Sequence, residues 1–345
     1  MFSNFLTTAL RNLFSHKAFS FINIIGLAIG IAASLLILQY ARYELSYDRS
    51  EPNSSRIYRL EQDRYNNGKL STQWAAGAAG IGPVVKGAVP EVESFARLRS
   101  NGAIVSYKDR EFREDKIFFT NDTFLTMFSY KALAGSAAGA LKDIYTAVIT
   151  ASTARKYFGN EDPIGKTINM DRTEHFRVTA VAPDPPPNTH LKFDILLSWA
   201  TMIKYAGPQV ETAMNWDAFL TYILVRPGTD SALLEKKINH AVQAKFGAEM
   251  KAGNYDVVYH LQALPDIHLY SHYMFETEVN GDGKSVYFLL AIAVFIIVIA
   301  WINYINLATD VPSTGQKKWA FVKCWARSAG NWSANSSSNP CSSTE

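Results

Sequence analysis

The chain has 345 residues, 19% of them charged and 48% hydrophobic, with a formal net charge of +3. This average hides a division: residues 18–41 and 285–309 carry no charged side chain, while the stretch between them reads like a soluble protein of near-neutral charge. That balance excludes a nucleic-acid surface, and because the cysteines are Cys324 and Cys341, the middle can form no internal disulfide and must be held by burial.

In chain order, residues 1–17 carry Arg11 and Lys17 and no acid. Phe2, Phe5, Leu6, Ala9, Leu10 and Leu13 recur at helical spacing with Asn4, Thr8, Arg11 and Asn12 between them, which predicts an amphipathic helix on the inner membrane surface rather than a plain cytoplasmic extension. Residues 18–41 form a first transmembrane helix, since about 20 apolar residues cross a bilayer. A buried core helix is the alternative that an uncharged run of this length disfavours. A cleaved signal peptide is disfavoured because its apolar region is shorter, about 7–15 residues. Arg11 and Lys17 place the N-terminus in the cytoplasm by the positive-inside rule. Gly26 and Gly30 with Ser34 one turn further make a row of small residues that lets another helix approach closely.

Residues 42–284 predict one mixed domain, giving an α+β extracytoplasmic domain inserted between two transmembrane α-helices. The strand-like runs are T-A-V-I-T at 146–150, F-R-V-T-A-V at 176–181, F-D-I-L-L-S at 193–198 and A-F-L-T-Y-I-L-V at 218–225. Helical runs alternate with them at 121–128, with a cap at its start, at 151–159, ending on Gly159, and at 231–246. The proline-rich loop at 183–188 is stiff and extended and marks a candidate subdomain boundary. Residues 285–309 form the second transmembrane helix, in which Asn303 and Asn306 share a face. Amides in lipid require partners, so this face reads as helix-to-helix contact in preference to a transport path. Residues 310–345 return to the cytoplasm as a basic tail.

Candidate chemistry is thin. G-N-E-D-P-I-G-K-T at 159–167 imitates a phosphate-binding loop, but five residues separate its glycines where four are required, and one of the five is Pro163. His268 and His272 have the spacing of helical metal ligands, yet Pro265 precedes them, the segment reads as strand or loop, and no third ligand is near in sequence. No G-x-S-x-G occurs and the domain has no thiol nucleophile. Glu111, Glu114 and Asp115 sit in a charge run, the usual mark of a solvated surface. The expectation is a protein that is not an enzyme, with no catalytic residue, metal or cofactor.

Seven strings in order carry a resemblance: I-N-I-I-G-L-A-I-G-I-A at 22–32, Y-E-L-S-Y-D-R at 43–49 with R-I-Y-R-L at 56–60, V-I-T-A-S-T-A-R-K-Y-F-G at 148–159, D-P-I-G-K-T-I at 162–168, F-R-V-T-A-V through H-L-K-F-D-I-L at 176–196, D-I-H-L-Y-S at 266–271 and I-N-Y-I-N-L-A-T at 302–309. Together they resemble the permease subunits of MacB/FtsX-like ABC transporters, with a MacB-like periplasmic core domain. The resemblance implies a multi-pass protein of the cell inner membrane that pairs with a cytoplasmic ABC ATPase subunit. It implies a second permease copy or half, admits a periplasmic adaptor, and implies further membrane helices. It also implies a function in which ATP-driven helix motion is transmitted to the periplasmic domain for export or lipoprotein release. A two-span receptor with a periplasmic ligand-binding domain is the alternative, and a membrane-anchored enzyme a weaker one. A receptor needs a cytoplasmic output domain, for which the tail is short.

The resemblance stops at Thr309, where the family continues with a basic cytoplasmic segment. Codons read from the third base of each tail codon restore such a segment. Residues 317–326 force glycine at Trp319–Ala320 and again at Trp325–Ala326, force leucine at Cys324–Trp325, and permit E-V-G-I-R-K-V-L-G overall. The chain is therefore expected to be the N-terminal fragment of such a permease, with a single-base deletion just after the Thr309 codon shifting the frame of 310–345.

Overall fold

The computed structural model describes residues 17–309, with side chains from 21 to 305. The surface helix expected within 1–17 and the tail 310–345 lie outside the described residues. Helix α1 (Lys17–Glu44) and a last helix (Gly283–Thr309) cover the two uncharged segments. Both run past their uncharged windows because helix geometry continues through polar residues: Arg42 and Glu44 complete α1. Phe21, Ile29, Leu36, Phe288, Phe295 and Trp301 are all exposed. A soluble protein buries such residues in its core, so these are not core helices, and both are long and apolar enough to cross a membrane.

The chain divides into two compact units, Leu35–Ala293 and the stretches on either side of it. In the flanking unit, residues 21–34 of α1 pack on residues 294–305 of the last helix. A Cβ placed on Gly30 would lie 3.4 Å from the Ala300 Cβ, and one on Gly26 would lie 3.6 Å from the Asn303 amide nitrogen. Asn303 donates to the Asn23 carbonyl at 3.0 Å. Ser34 donates back to the Gly30 carbonyl at 2.8 Å. The small-residue row and the asparagine face thus meet each other within this chain. The side chain of Asn306 lies outside the described ones.

The unit Leu35–Ala293 is built on one large sheet. Its strands are β1 (Ile57–Asn66), β2 (Lys69–Trp74), β3 (Gly77–Ala78), β4 (Val92–Tyr107), β5 (Arg110–Thr120), β6 (Ala134–Gly135), β7 (Thr146–Thr150), β8 (Thr167–Met170), β9 (Glu174–Ala182), β10 (Ile195–Ser198), β11 (Asp217–Val225) and β12 (Tyr255–Ala263). The main path runs β12-β1-β11-β4-β5-β10-β7-β9-β6. Strand β8 pairs with both β9 and β4, placing Val105 opposite Met170. The path β4-β5-β10-β7-β9-β8 therefore closes on itself as a six-strand ring, which removes the free edges those strands would otherwise expose. Ile117, Ile149, Ile168, Phe176, Val178 and Ile195 belong to its buried core.

Strand β7 is buried at all five positions, as expected for a central strand covered on both faces. Around the sheet pack α2 (Ile81–Ala88), α3 (Thr123–Met127), α4 (Ala151–Phe158), α5 (Trp199–Ala206) and α6 (Ser231–Ala252), followed by the single turn α7 (Ile267–Tyr270); Gly283–Thr309 is α8. Asp230 caps α6 by accepting from the Ala232 and Leu233 amides at 2.9 and 3.1 Å. That helix runs six residues past its expected end because Met250, one turn after Phe246, is also buried. Helix α4 ends on Gly159 in a left-handed conformation, φ +63°. The cap expected before α3 is absent: Asp122 accepts instead from the Leu141 amide at 3.0 Å.

The loop at 183–188 is not a subdomain boundary. It joins β9 to β10, which flank β7 in one sheet. The segment read as strand or loop around His268 is the helical turn α7. The tertiary hydrogen bonds described below, not local propensity, hold it.

Candidate functional site

Two chain segments flank the domain: residues 43–49, where α1 ends, and 266–282, which lead into α8. Both are tied to the central strands by buried polar groups. Tyr43 donates to the Pro187 carbonyl at 3.1 Å, and the Asn188 side chain donates to the Ser46 hydroxyl at 2.9 Å. Asp48 follows with φ +55°, a left-handed conformation that aspartate tolerates better than most residues. Its amide donates to the Asn188 carbonyl at 3.0 Å. Its buried carboxylate takes the Thr189 hydroxyl at 2.5 Å, the His190 amide at 3.2 Å and His190 Nδ1 at 2.9 Å. Burial works against the charge on Asp48, but His190 and these hydrogen bonds hold its carboxyl below the ordinary aspartate value.

The other nitrogen of His190 lies 2.8 Å from the hydroxyl of Tyr222, a wholly buried residue of β11. Thr277 donates to the His190 carbonyl at 2.7 Å. Next to Tyr222 in the sheet is Arg59 of β1, a residue with no exposed surface. Its guanidinium grips Glu276 in a two-point fork at 2.6 and 2.7 Å, reaches Glu61 at 2.5 Å, and donates to Ser271 at 2.9 Å. Burial would lower the Arg59 pKa, but Glu276, Tyr222 and Glu61 together raise it above the ordinary arginine value. Glu61 moves the other way from its usual pairing effect: desolvation outweighs Arg59 and raises its carboxyl.

A second anchor closes the base. Glu44 meets His268 Nε2 at 2.9 Å, and Tyr47 stacks on the same imidazole with ring centroids 3.4 Å apart. Gly281 donates to the His268 carbonyl at 2.8 Å. A Cβ on Gly281 would stand 2.7 Å from the Glu44 carboxylate, so this approach requires glycine. Ala41, Leu269 and Val286 pack beneath as a small apolar cluster. The arrangement is suited to carrying force: Asp48 reaches β11 through the buried His190, and Ser271 and Glu276 reach β1 through the buried Arg59 and Glu61, so breaking either link strands a buried polar group.

Of the residues singled out from sequence, His268 enters this base and the others fall elsewhere. His268 is buried on Glu44 while His272 is exposed, so the two do not converge. No group of three or more His, Cys, Asp or Glu fit to hold a metal occurs among the described residues. In the string at 159–167, Lys166 pairs with Glu161, which Lys108 also engages at 2.7 Å. Glu111 and Asp115 are exposed, but Glu114 is buried, because alternation along β5 turns it inward, where Tyr157 and Lys156 each reach it at 2.6 Å.

Residues 20–241 match the family described as the MacB-like periplasmic core domain. The chain belongs to that family. It is a MacB/FtsX-like ABC-transporter permease domain flanked by two apolar helices. Among solved structures, a domain assigned to a permease from Porphyromonas gingivalis is similar with a TM-score of 0.53 and 21% identity, covering 61% of this chain and 91% of that one. The periplasmic region of MacB from Actinobacillus actinomycetemcomitans matches with a TM-score of 0.43 and 12% identity, covering 59% of this chain and 88% of that one. The extracellular domain of the ABC-type transporter YknZ from Gram-positive bacteria matches with a TM-score of 0.43 and 12% identity, covering 60% of this chain and 99% of that one. No curated protein matches.

Asp48, Arg59, Glu61, His190, Tyr222 and Glu276 were not assembled from the sequence as a site. Their available signal was a charged residue at alternate positions of one strand, Arg59, Glu61 and Asp63, where an ordinary half-buried strand places apolar side chains.

Proposed function

We propose that this permease domain works as a mechanical transmitter and not as an enzyme. Motion of the two membrane helices, driven by a separate cytoplasmic ATPase subunit, passes through the Asp48–His190–Tyr222 and Arg59–Glu61–Glu276 links into the central strands. The domain then acts on cargo outside the inner membrane, by export or by lipoprotein release, alongside a second permease copy or half. The observation that carries this reading is that Asp48 reaches β11 through His190 and Tyr222, while Ser271 and Glu276 meet Arg59 and Glu61 of β1, the strand paired with β11. Membership of the MacB-like family supports the pairing with an ATPase.

Copurification tests it. A chain whose frame is restored by one inserted base after the Thr309 codon is expected to retain an ATPase subunit and stimulate its hydrolysis, whereas the chain with its present tail does not stimulate. A restored chain that retains no ATPase would leave a receptor as the better reading. Stimulation by the chain with its present tail would refute the frame argument.

A further inference from the structure

Two arginines on one face of β4 meet different environments. Arg97 is wholly buried and its donors are satisfied internally. Its Nε reaches Asn121 at 3.2 Å, Nη1 the Ala79 carbonyl at 3.0 Å, and Nη2 Glu211 at 3.1 Å. Its guanidinium also sits 3.9 Å from the centroid of the Trp199 ring. Arg99 is two residues on and therefore faces the same way. Among the described residues its guanidinium has no ion pair and no hydrogen bond, and its Nε is buried without a partner. The Trp216 ring, 5.2 Å away, is its one close electrostatic contact among them. A half-buried cation with no acid paired to it loses hydration without compensation, and burial holds its guanidinium below the ordinary arginine value.

A cavity of about 330 Å³ opens at Arg99. It lies at the six-strand ring and is lined from β4, β5, β8 and β9, with α5 alongside. Phe119, Met202, Tyr205 and Trp216 supply apolar and aromatic wall. Asp171 and Glu174 also line it. Asp171 accepts from the Ile104 amide at 2.9 Å, and Glu174 accepts from the Tyr205 hydroxyl. A cleft with aromatic walls and a few placed charges, near the lower end of the usual range of about 300–1,000 Å³, has the form of a small-molecule site.

We propose that this cavity binds a small organic monocarboxylate, with its carboxylate on the Arg99 guanidinium and its apolar body against Phe119, Met202 and Trp216. The planar guanidinium fork matches a carboxylate at two points. The aromatic walls match a flat or aliphatic body. Asp171 and Glu174 disfavour any anion in proportion to its charge, so a monoanion is accepted in preference to a doubly charged phosphate ester. The proposal is independent of the transmission reading, because none of these residues belongs to the links at Asp48 or Arg59.

The test uses the full chain in detergent micelles and calorimetric titration with 3-phenylpropionate and indole-3-acetate. At least one is expected to bind saturably, and Arg99→Gln to weaken that binding roughly tenfold or more. Met202→Trp, which fills the cavity and leaves Arg99 in place, should abolish it, and 3-phenylpropionamide should not bind. The thermal midpoint of Arg99→Gln should match or exceed that of the wild type, because the lost cation has no internal partner. Absence of saturable binding by both acids, or equal binding by wild type and Arg99→Gln, overturns the proposal. So does tighter binding of phenyl phosphate, or a clear fall in the midpoint of Arg99→Gln, which would make the cation structural.

Discussion

Replacing Arg59 by methionine isolates the strongest link in the base of the domain. The wild-type guanidinium serves Glu276 at 2.6 and 2.7 Å and Glu61 at 2.5 Å. Methionine fills much of the volume but leaves both carboxylates, which share the Ser271 hydroxyl at 3.0 and 2.5 Å, without a cation. Removing one partner of a buried ion pair costs about 3–5 kcal/mol. The Glu276 side chain retains 13% exposure, so water relieves part of the penalty and the low end, about 3 kcal/mol, applies. For a domain of this size each kcal/mol moves the thermal midpoint by about 2–4 °C, giving a fall of about 6–12 °C in circular-dichroism melts of the full chain. Amide exchange over 271–277 should accelerate, since Glu276 and Ser271 hold that segment to β1. The triple variant Arg59→Met, Glu61→Leu, Glu276→Leu removes the stranded charges and should recover most of the midpoint while leaving exchange at 271–277 fast. A single variant within about 1 kcal/mol of wild type, with unchanged exchange, would refute the claim that this cluster anchors the segment.

Asp48→Asn should lower stability at neutral pH by about 1.5–3 kcal/mol, the scale of a hydrogen bond to a charged group. The folded carboxyl of Asp48 lies below its ordinary value, so its contribution is complete above the ordinary aspartate pKa and is lost as pH falls through the lowered folded value. The wild-type-minus-variant difference should therefore shrink below about pH 4, and a pH-independent difference in denaturant midpoints would contradict it. In the helix pair, the 3.4 Å approach between a Gly30 Cβ and the Ala300 Cβ is near the lower edge of disulfide geometry. Gly30→Cys with Ala300→Cys, in a chain whose Cys324 and Cys341 are serine, should crosslink under mild oxidation, and a failure to do so would mean the two helices do not pair along this row. Reading the nucleotide sequence past the Thr309 codon should reveal further apolar spans in the second frame; early closure of that frame would end the deletion hypothesis.

The sequence alone determined the two long apolar helices and the family. Spanning a bilayer needs only a long uncharged run, and seven short strings in order are specific without any knowledge of their contacts. It also placed the four strands at 146–150, 176–181, 193–198 and 218–225 to within two residues, because enrichment in β-branched and aromatic residues is a local property. The tertiary structure alone decided which residues make the base. Asp48 and His190 are far apart in sequence, as are Arg59 and Glu276, and no local pattern links them. It likewise turned Glu114 inward, joined β8 to β4 to close the ring, and separated Arg97, which has its acid, from Arg99, which has none. Register and burial make those choices, and both depend on which distant strand lies alongside.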